Sequence, residues 1–292
     1  MSFDWLQLQC EYAGVPVPTR HVIFTVQGTG QPDPEGPGYP ADLARTLDDE
    51  KWFWQPVGNY MASAFPMQPS INSGDEEFAR LLRLQSPTQT WGFIGYSQGA
   101  IVTSDILDRC GITKNPNVTP DLADYADSFI GGVTWGNPRR EAGHTIPNGI
   151  DPSGHGIVTP NLVGTPASVW DFAVGKKMVN SPGQDLYTTC GYDGSTTSVT
   201  DEQAVWGIVD KGTITSFGNF IDQVLKIVGN PVKGTVAAIV AILDALNFFV
   251  LEGITPHTSY GVTQPIAGDP RDCWRIAGDY LNWIGENVPA RS

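Results

Sequence analysis

The chain has 292 residues, 40% of them hydrophobic and 10% aromatic, enough for one large core and too apolar for a disordered polymer. Its formal charge of −14 sets it against phosphate, which excludes nucleic acid as a partner, and against electrostatic docking on anionic lipid. Any meeting with lipid is expected through apolar surface.

The N-terminal M-S-F-D-W-L-Q-L-Q-C lacks both a basic start and a continuous apolar run, so no secretory signal is expected. Residues 1–20 read as a short extension before a single α/β domain over 21–292. The first strand is H-V-I-F-T-V at 21–26, followed by Q-G-T-G and a Gly- and Pro-rich loop. A short helix starts near Pro40, and a stronger one covers 75–85, with Asp75, Glu76 and Glu77 at its N-terminal end. T-W-G-F-I-G at 90–95 is a second strand, and G-A-I-V-T-S-D-I-L-D-R-C at 99–110 is a helix. Strands at 129–135 and 167–174 follow. Strands alternating with helices imply an α/β fold with a central, mostly parallel sheet flanked by helices.

From about 201 to 251 helical periodicity replaces strands, which reads as a helical insertion. Its segment 232–251 is long enough to cross a bilayer but carries Lys233, Asp244 and Asn247, so a buried or surface-lying helix is expected, with no transmembrane span. A final helix spans 271–288. Cys10, Cys110, Cys190 and Cys273 lie far apart with no CxxC, and free, partly buried thiols are expected.

The chemistry centres on G-Y-S-Q-G at 95–99, a GxSxG pattern between a strand and a helix. A nucleophile elbow needs that context: the glycines permit a tight turn, and the turn lifts Ser97 above a helix N-terminus whose amides favour an anion. A serine nucleophile needs a base, and the base an orienting acid. Among four histidines, His21 precedes Ser97, and His144 and His155 follow the third strand too soon. His257, in a loop before the last helix, is the candidate base. The acid is sought among Asp171, Asp185, Asp193, Asp201 and Glu202. Asp171 falls inside a strand; Asp185, in the turn-rich S-P-G-Q-D-L-Y, is favoured, with Asp193 next. The oxyanion hole is assigned to the backbone amides of Gln98 and of Thr29, whose hydroxyl adds a donor. Gln98 is read as acting through its amide rather than its side chain. His144, Asp151 and His155 lack metal-ligand spacing, and no phosphate- or dinucleotide-binding loop occurs, so neither metal nor cofactor is expected.

In order, V-Q-G-T-G at 26–30, G-Y-S-Q-G, W-G-N-P-R-R-E at 135–141, D-L-Y at 185–187 and T-P-H-T-S-Y-G at 255–261 resemble the lysin B proteins of mycobacteriophages, which are cutinase-like serine esterases. The resemblance runs from about residue 20 to the C-terminus. It implies hydrolysis of the ester joining mycolic acids to arabinogalactan in the mycobacterial envelope, late in infection. It implies nucleophile, acid and base at Ser97, Asp185 and His257, and action after a peptidoglycan-cutting endolysin has opened the wall. The protein is then made in the host cytoplasm and acts at the host envelope. Some members carry an N-terminal peptidoglycan-binding domain, which the short extension here is expected to lack. Long acyl chains gain about 0.8 kcal/mol per buried CH₂; the 236–251 segment is the candidate acyl-contacting surface, and a helix packed wholly on the scaffold is its alternative reading. A general cutinase or lipase acting on soluble or lipid esters, and a non-catalytic wall-binding protein on a hydrolase scaffold, are the competing readings.

Overall fold

A computed structural model describes residues 4–64, 66–191 and 254–292. The expected helical insertion, its 232–251 segment, and Asp193, Asp201 and Glu202 lie outside the described residues.

Five parallel strands form one sheet: β1 (His21–Val26), β2 (Trp52–Pro56), β3 (Trp91–Tyr96), β4 (Phe129–Trp135) and β5 (Val169–Phe172), in spatial order β2-β1-β3-β4-β5. β1 is buried along its whole length, and successive residues serve opposite faces. Val22, Phe24 and Val26 join one core with Phe78, Leu82, Ile101, Val102 and Ile106; Ile23 joins the other with Leu43, Ile94, Val133, Phe172, Leu281 and Ile284. The helices that supply those residues are α3 (Met67–Arg83) and α4 (Gln98–Cys110) on the first face, and α2 (Tyr39–Ala44) and α6 (Cys273–Asn287) on the second. Among the described residues the remaining α-helices are α1 (Trp5–Ala13) and the single turn α5 (Ile254–His257). The sheet has the α/β-hydrolase layering expected from the sequence.

Two elements were not predicted, and one helix starts earlier than expected. The N-terminal extension carries α1, capped by Asp4, whose carboxylate accepts from the Gln7 amide at 3.0 Å and pairs with Arg20. Strand β2, W-F-W-Q-P, went unpredicted. Helix α3 begins at Met67 rather than at 75. Pro69 sits in its first turn, where no amide donor is needed. Gly74 faces α4, where a Cβ would come within 2.8 Å of Val102 Cγ2. The three acids therefore occupy the helix interior, and Glu77, only 8% exposed, pairs with Arg80 at 2.7 Å instead of meeting a helix dipole.

Asp75 on α3 faces Asp105 on α4, and burial together with the Asp105 carboxylate holds the Asp75 carboxyl well above the ordinary range. A raised folded-state value means the native chain binds more protons than the unfolded chain above about pH 4, so this pair erodes stability as pH rises through that window. Asp75→Asn should melt at a higher temperature than wild type at pH 7 and lose that advantage near pH 4. Parallel pH dependences for the two proteins would contradict it.

Cys10, Cys110 and Cys273 are buried free thiols, Cys110 pushed up to about 12 by burial.

Candidate active site

The chain leaves β1 towards β2 on one side and returns with β3 on the other. At such a switch point a crevice opens beyond the C-terminal ends of the two strands. The 27–31 loop leaves β1 there, and Ser97 leaves β3 beside it.

Ser97 has φ 55° and ψ −120°, a conformation that costs a non-glycine residue about 1–3 kcal/mol. The surroundings enforce it. The Ser97 amide donates to the Trp135 carbonyl at 2.9 Å, extending the β3–β4 pairing by one residue, and the Ser97 carbonyl accepts from Ala100 at 2.9 Å. α4 can start this close to the sheet because Gly95 and Gly99 lack side chains. A Cβ on Gly95 would lie 2.8 Å from Thr103 Oγ1, and one on Gly99 would run into the carbonyls of Val26 and Gln27. The Gln98 amide, first in the helix, has no partner among the described residues and lies beside Ser97.

The Thr29 turn supplies a second such amide. Gly28 N–H donates to Gln31 Oε1 at 3.2 Å and Gly30 N–H to the Ala62 carbonyl at 2.7 Å, while the Thr29 amide between them is unengaged among the described residues. Gly28 lets this turn close on β3, since a Cβ there would sit 2.7 Å from Tyr96 Cδ1.

His257 ends α5 and is 4% exposed. Its ring lies nearly parallel to that of Tyr96, centroids 5.3 Å apart, and its carbonyl accepts from Tyr96 Oη at 3.0 Å. On another side Gly136, at φ 63°, comes so close that a Cβ would collide with the imidazole. Tyr96 and Gly136 directly adjoin Ser97 and Trp135 in sequence, so these contacts set the His257 ring against the residues that neighbour the elbow. Its Nδ1 is 2.9 Å from Asp185 Oδ2. The carboxylate places the proton on Nδ1 and leaves Nε2 as the lone-pair nitrogen. Nε2 is buried and has no hydrogen-bond partner among the described residues. Ser97 Oγ and Nε2 are thus unbonded here, a looseness common in free enzymes that tightens with substrate.

Asp185 follows β5 and is fully buried. Its amide donates to the Val174 carbonyl at 3.0 Å, and its Oδ1 accepts from the Tyr187 amide at 3.1 Å. Oδ2, the oxygen facing His257, also accepts the Tyr260 hydroxyl. Burial and the Asp185 charge push Tyr260 well above its ordinary value, so it remains a donor through the working pH range. Asp171 lies in β5 as expected and is held by Thr134 and by Asn137 Nδ2 at 3.0 Å. It does not touch His257. The other histidines have structural partners: His21 lies between Thr90 Oγ1 (2.8 Å) and the Val288 carbonyl (3.1 Å), His144 reaches the Val169 carbonyl (2.8 Å), and His155 the Gly156 carbonyl (2.8 Å). Burial pushes His21 down. Among the described residues no three His, Cys, Asp or Glu side chains are grouped to hold a metal.

Sequence reasoning missed several supports. Arg140, fully buried in W-G-N-P-R-R-E, donates to the carbonyls of Thr188 (2.8 Å), His144 (2.8 Å), Ser153 (2.8 Å) and Gly154 (2.7 Å), and so ties the Asp185 loop to the loop after β4. Arg139 instead anchors to Asp105 and to Asp108, the latter at 2.7 Å, and Glu141 accepts the Gly164 and Thr165 amides at 3.0 and 2.7 Å. The motif was visible; which side chain did what depended on partners far away in sequence. Arg140→Met should lower unfolding stability by about 3–5 kcal/mol, because buried carbonyls lose their donors. Urea denaturation measures this, and a loss under 1 kcal/mol would remove the brace assignment.

The reading of Gln98 also changes. Its side chain is 2% exposed and bonded at both ends: Oε1 accepts from Tyr60 Oη at 2.6 Å and Ser70 Oγ at 2.8 Å, and Nε2 donates to the Ser63 carbonyl at 2.9 Å.

No family model matches the chain. It is 33% identical over 236 residues to Endolysin B of Mycobacterium phage D29, covering 78% of this chain and 88% of that protein. With Endolysin B of Mycobacterium phage L5 it shares 44% identity over 124 residues, 41% of this chain and 47% of that one. The crystal structure of lysin B from mycobacteriophage D29 superposes with a TM-score of 0.58 at 30% identity, over 90% of this chain and 99% of that one. An α/β-hydrolase scaffold with this extent of likeness identifies the chain as a member of the mycobacteriophage lysin B family, an esterase.

Proposed function

We propose that this esterase is a serine enzyme that hydrolyses the ester between mycolic acids and arabinogalactan. Ser97 Oγ attacks the ester carbonyl and His257 Nε2 takes its proton. Asp185 holds the Nδ1–H tautomer and balances the imidazolium. The amides of Gln98 and Thr29 receive the oxyanion. His257 then protonates the departing sugar oxygen. Water, activated by the same nitrogen, releases the mycolic acid from Ser97. The observation that carries this reading is the buried Asp185–His257 pair, whose remaining nitrogen has no partner among the described residues and whose ring packs on Tyr96, next in sequence to a serine held at positive φ at a helix N-terminus.

Membership of the lysin B family supports this choice of substrate. The protein is accordingly made in the host cytoplasm and acts at the envelope once a separate endolysin has cut peptidoglycan. Among the described residues no helix is long and apolar enough to cross a membrane.

Two measurements test the proposal. An alkyl phosphonate should form an adduct that maps to Ser97 by mass spectrometry; an unlabelled protein supports a wall-binding role instead. Purified mycolyl-arabinogalactan should release free mycolic acids on incubation. Turnover of p-nitrophenyl butyrate without mycolate release would favour a general cutinase or lipase.

A further inference from the structure

The oxyanion hole of the proposed mechanism draws on two segments with no covalent reason to keep register. One is the start of α4, the other the turn after β1. The Thr29 turn is hung on a neighbour: Gly30 N–H reaches the Ala62 carbonyl at 2.7 Å. Ala62 itself sits at φ 48°, a left-handed conformation that a non-glycine residue keeps only when its surroundings hold it there.

Those surroundings converge on one side chain. Gln98 Oε1 accepts from the Tyr60 hydroxyl at 2.6 Å and the Ser70 hydroxyl at 2.8 Å, and Nε2 donates a hydrogen bond to the Ser63 carbonyl at 2.9 Å. Ser63 N–H in turn donates to Ser70 Oγ at 2.9 Å. The residues on both sides of Ala62 are therefore gripped by the Gln98 amide or by a group bonded to it. Tyr60 and Ser70 are buried, and burial pushes the Tyr60 hydroxyl up, so it stays a donor.

We propose that the Gln98 side chain is a positioning strut that sets the spacing of the oxyanion hole. Its own backbone amide is one donor. Through the 60–63 loop and Gly30, its side chain fixes where the other donor, the Thr29 amide, stands. The residue type follows: the site needs an acceptor for two hydroxyls and a donor for a carbonyl on one planar group. Glutamate lacks the donor and brings a buried charge, and leucine lacks both. This inference rests on the serine-esterase reading and specifies how its anion site is held.

The test uses p-nitrophenyl butyrate hydrolysis and the rate of Ser97 phosphonylation in full-length wild type, Gln98→Leu and Gln98→Glu. Each variant should lose about 10²-fold in kcat, the scale of losing one oxyanion donor. KM should change by less than about threefold, and phosphonylation should slow in step with kcat. A purely structural role would lower the melting temperature without splitting kcat from KM. Tyr60→Phe combined with Ser70→Ala leaves Gln98 in place but removes both donors to its oxygen. It should lose at least about tenfold in kcat, so the proposal stays testable if the Gln98 variants fail to fold. Full kcat in any folded variant overturns the strut. If wild type is not phosphonylated at Ser97, the underlying serine-esterase reading fails instead.

Discussion

Ser97→Ala should lower kcat on a soluble ester by about 10⁶-fold, the scale of removing the nucleophile from a serine–histidine–aspartate unit. The fold should survive. Ser97 holds its place through main-chain bonds to Trp135 and Ala100, and its hydroxyl has no bond to lose among the described residues. Alanine inherits the strain at φ 55° without relieving it, so the melting temperature should stay within a few degrees of wild type. Phosphonate labelling should disappear, and so should mycolic acid release. What remains should be weak catalysis from substrate binding and the oxyanion amides. Retained turnover above about 1% would move the nucleophile elsewhere.

Asp185→Asn should cost about 10⁴ in kcat with KM little changed. The argument lies in tautomers. Asp185 Oδ2 faces His257 Nδ1 at 2.9 Å and also accepts the Tyr260 hydroxyl, while Oδ1 accepts the Tyr187 amide. Three donors converge on a carboxylate that needs only acceptors. An asparagine must turn its NH₂ towards one side. Turned to His257, it forces the imidazole proton onto Nε2, and the base loses its lone pair. Turned to Tyr187, it opposes an amide donor. Neither arrangement satisfies the site, so some stability is lost as well. Pre-steady-state acylation followed from pH 5 to 9 checks the claim; acylation within tenfold of wild type would contradict Asp185 as the orienting acid.

β1, β3 and β4 were legible because each is rich in β-branched and aromatic residues with a glycine turn signal in or just beyond it, Gly28, Gly95 and Gly136. β2 was not: W-F-W-Q-P is short, lies at the sheet edge and ends in proline. The first turns of α3 were hidden by Pro69 and Gly74, one harmless in a first turn and the other required by packing against Val102. Ser97, Asp185 and His257 could be proposed from order and loop context. The roles of Tyr260, Arg140 and the Gln98 side chain could not, because each is defined by what it meets across a fold. Tyr260 meets Asp185 across 75 residues, and Gln98 meets Tyr60 across 38.

Three of the four buried cysteines, Cys10, Cys110 and Cys273, have a practical consequence. Cys10 lies in α1, Cys110 at the end of α4 in one core and Cys273 at the start of α6 in the other. Burial keeps Cys110 and Cys273 protonated far above neutral pH, so alkylating reagents meet almost no thiolate until the segment opens. The protein thus carries three internal clocks: the modification rate at each thiol, resolved by peptide mapping, times the opening of its own segment without an added probe.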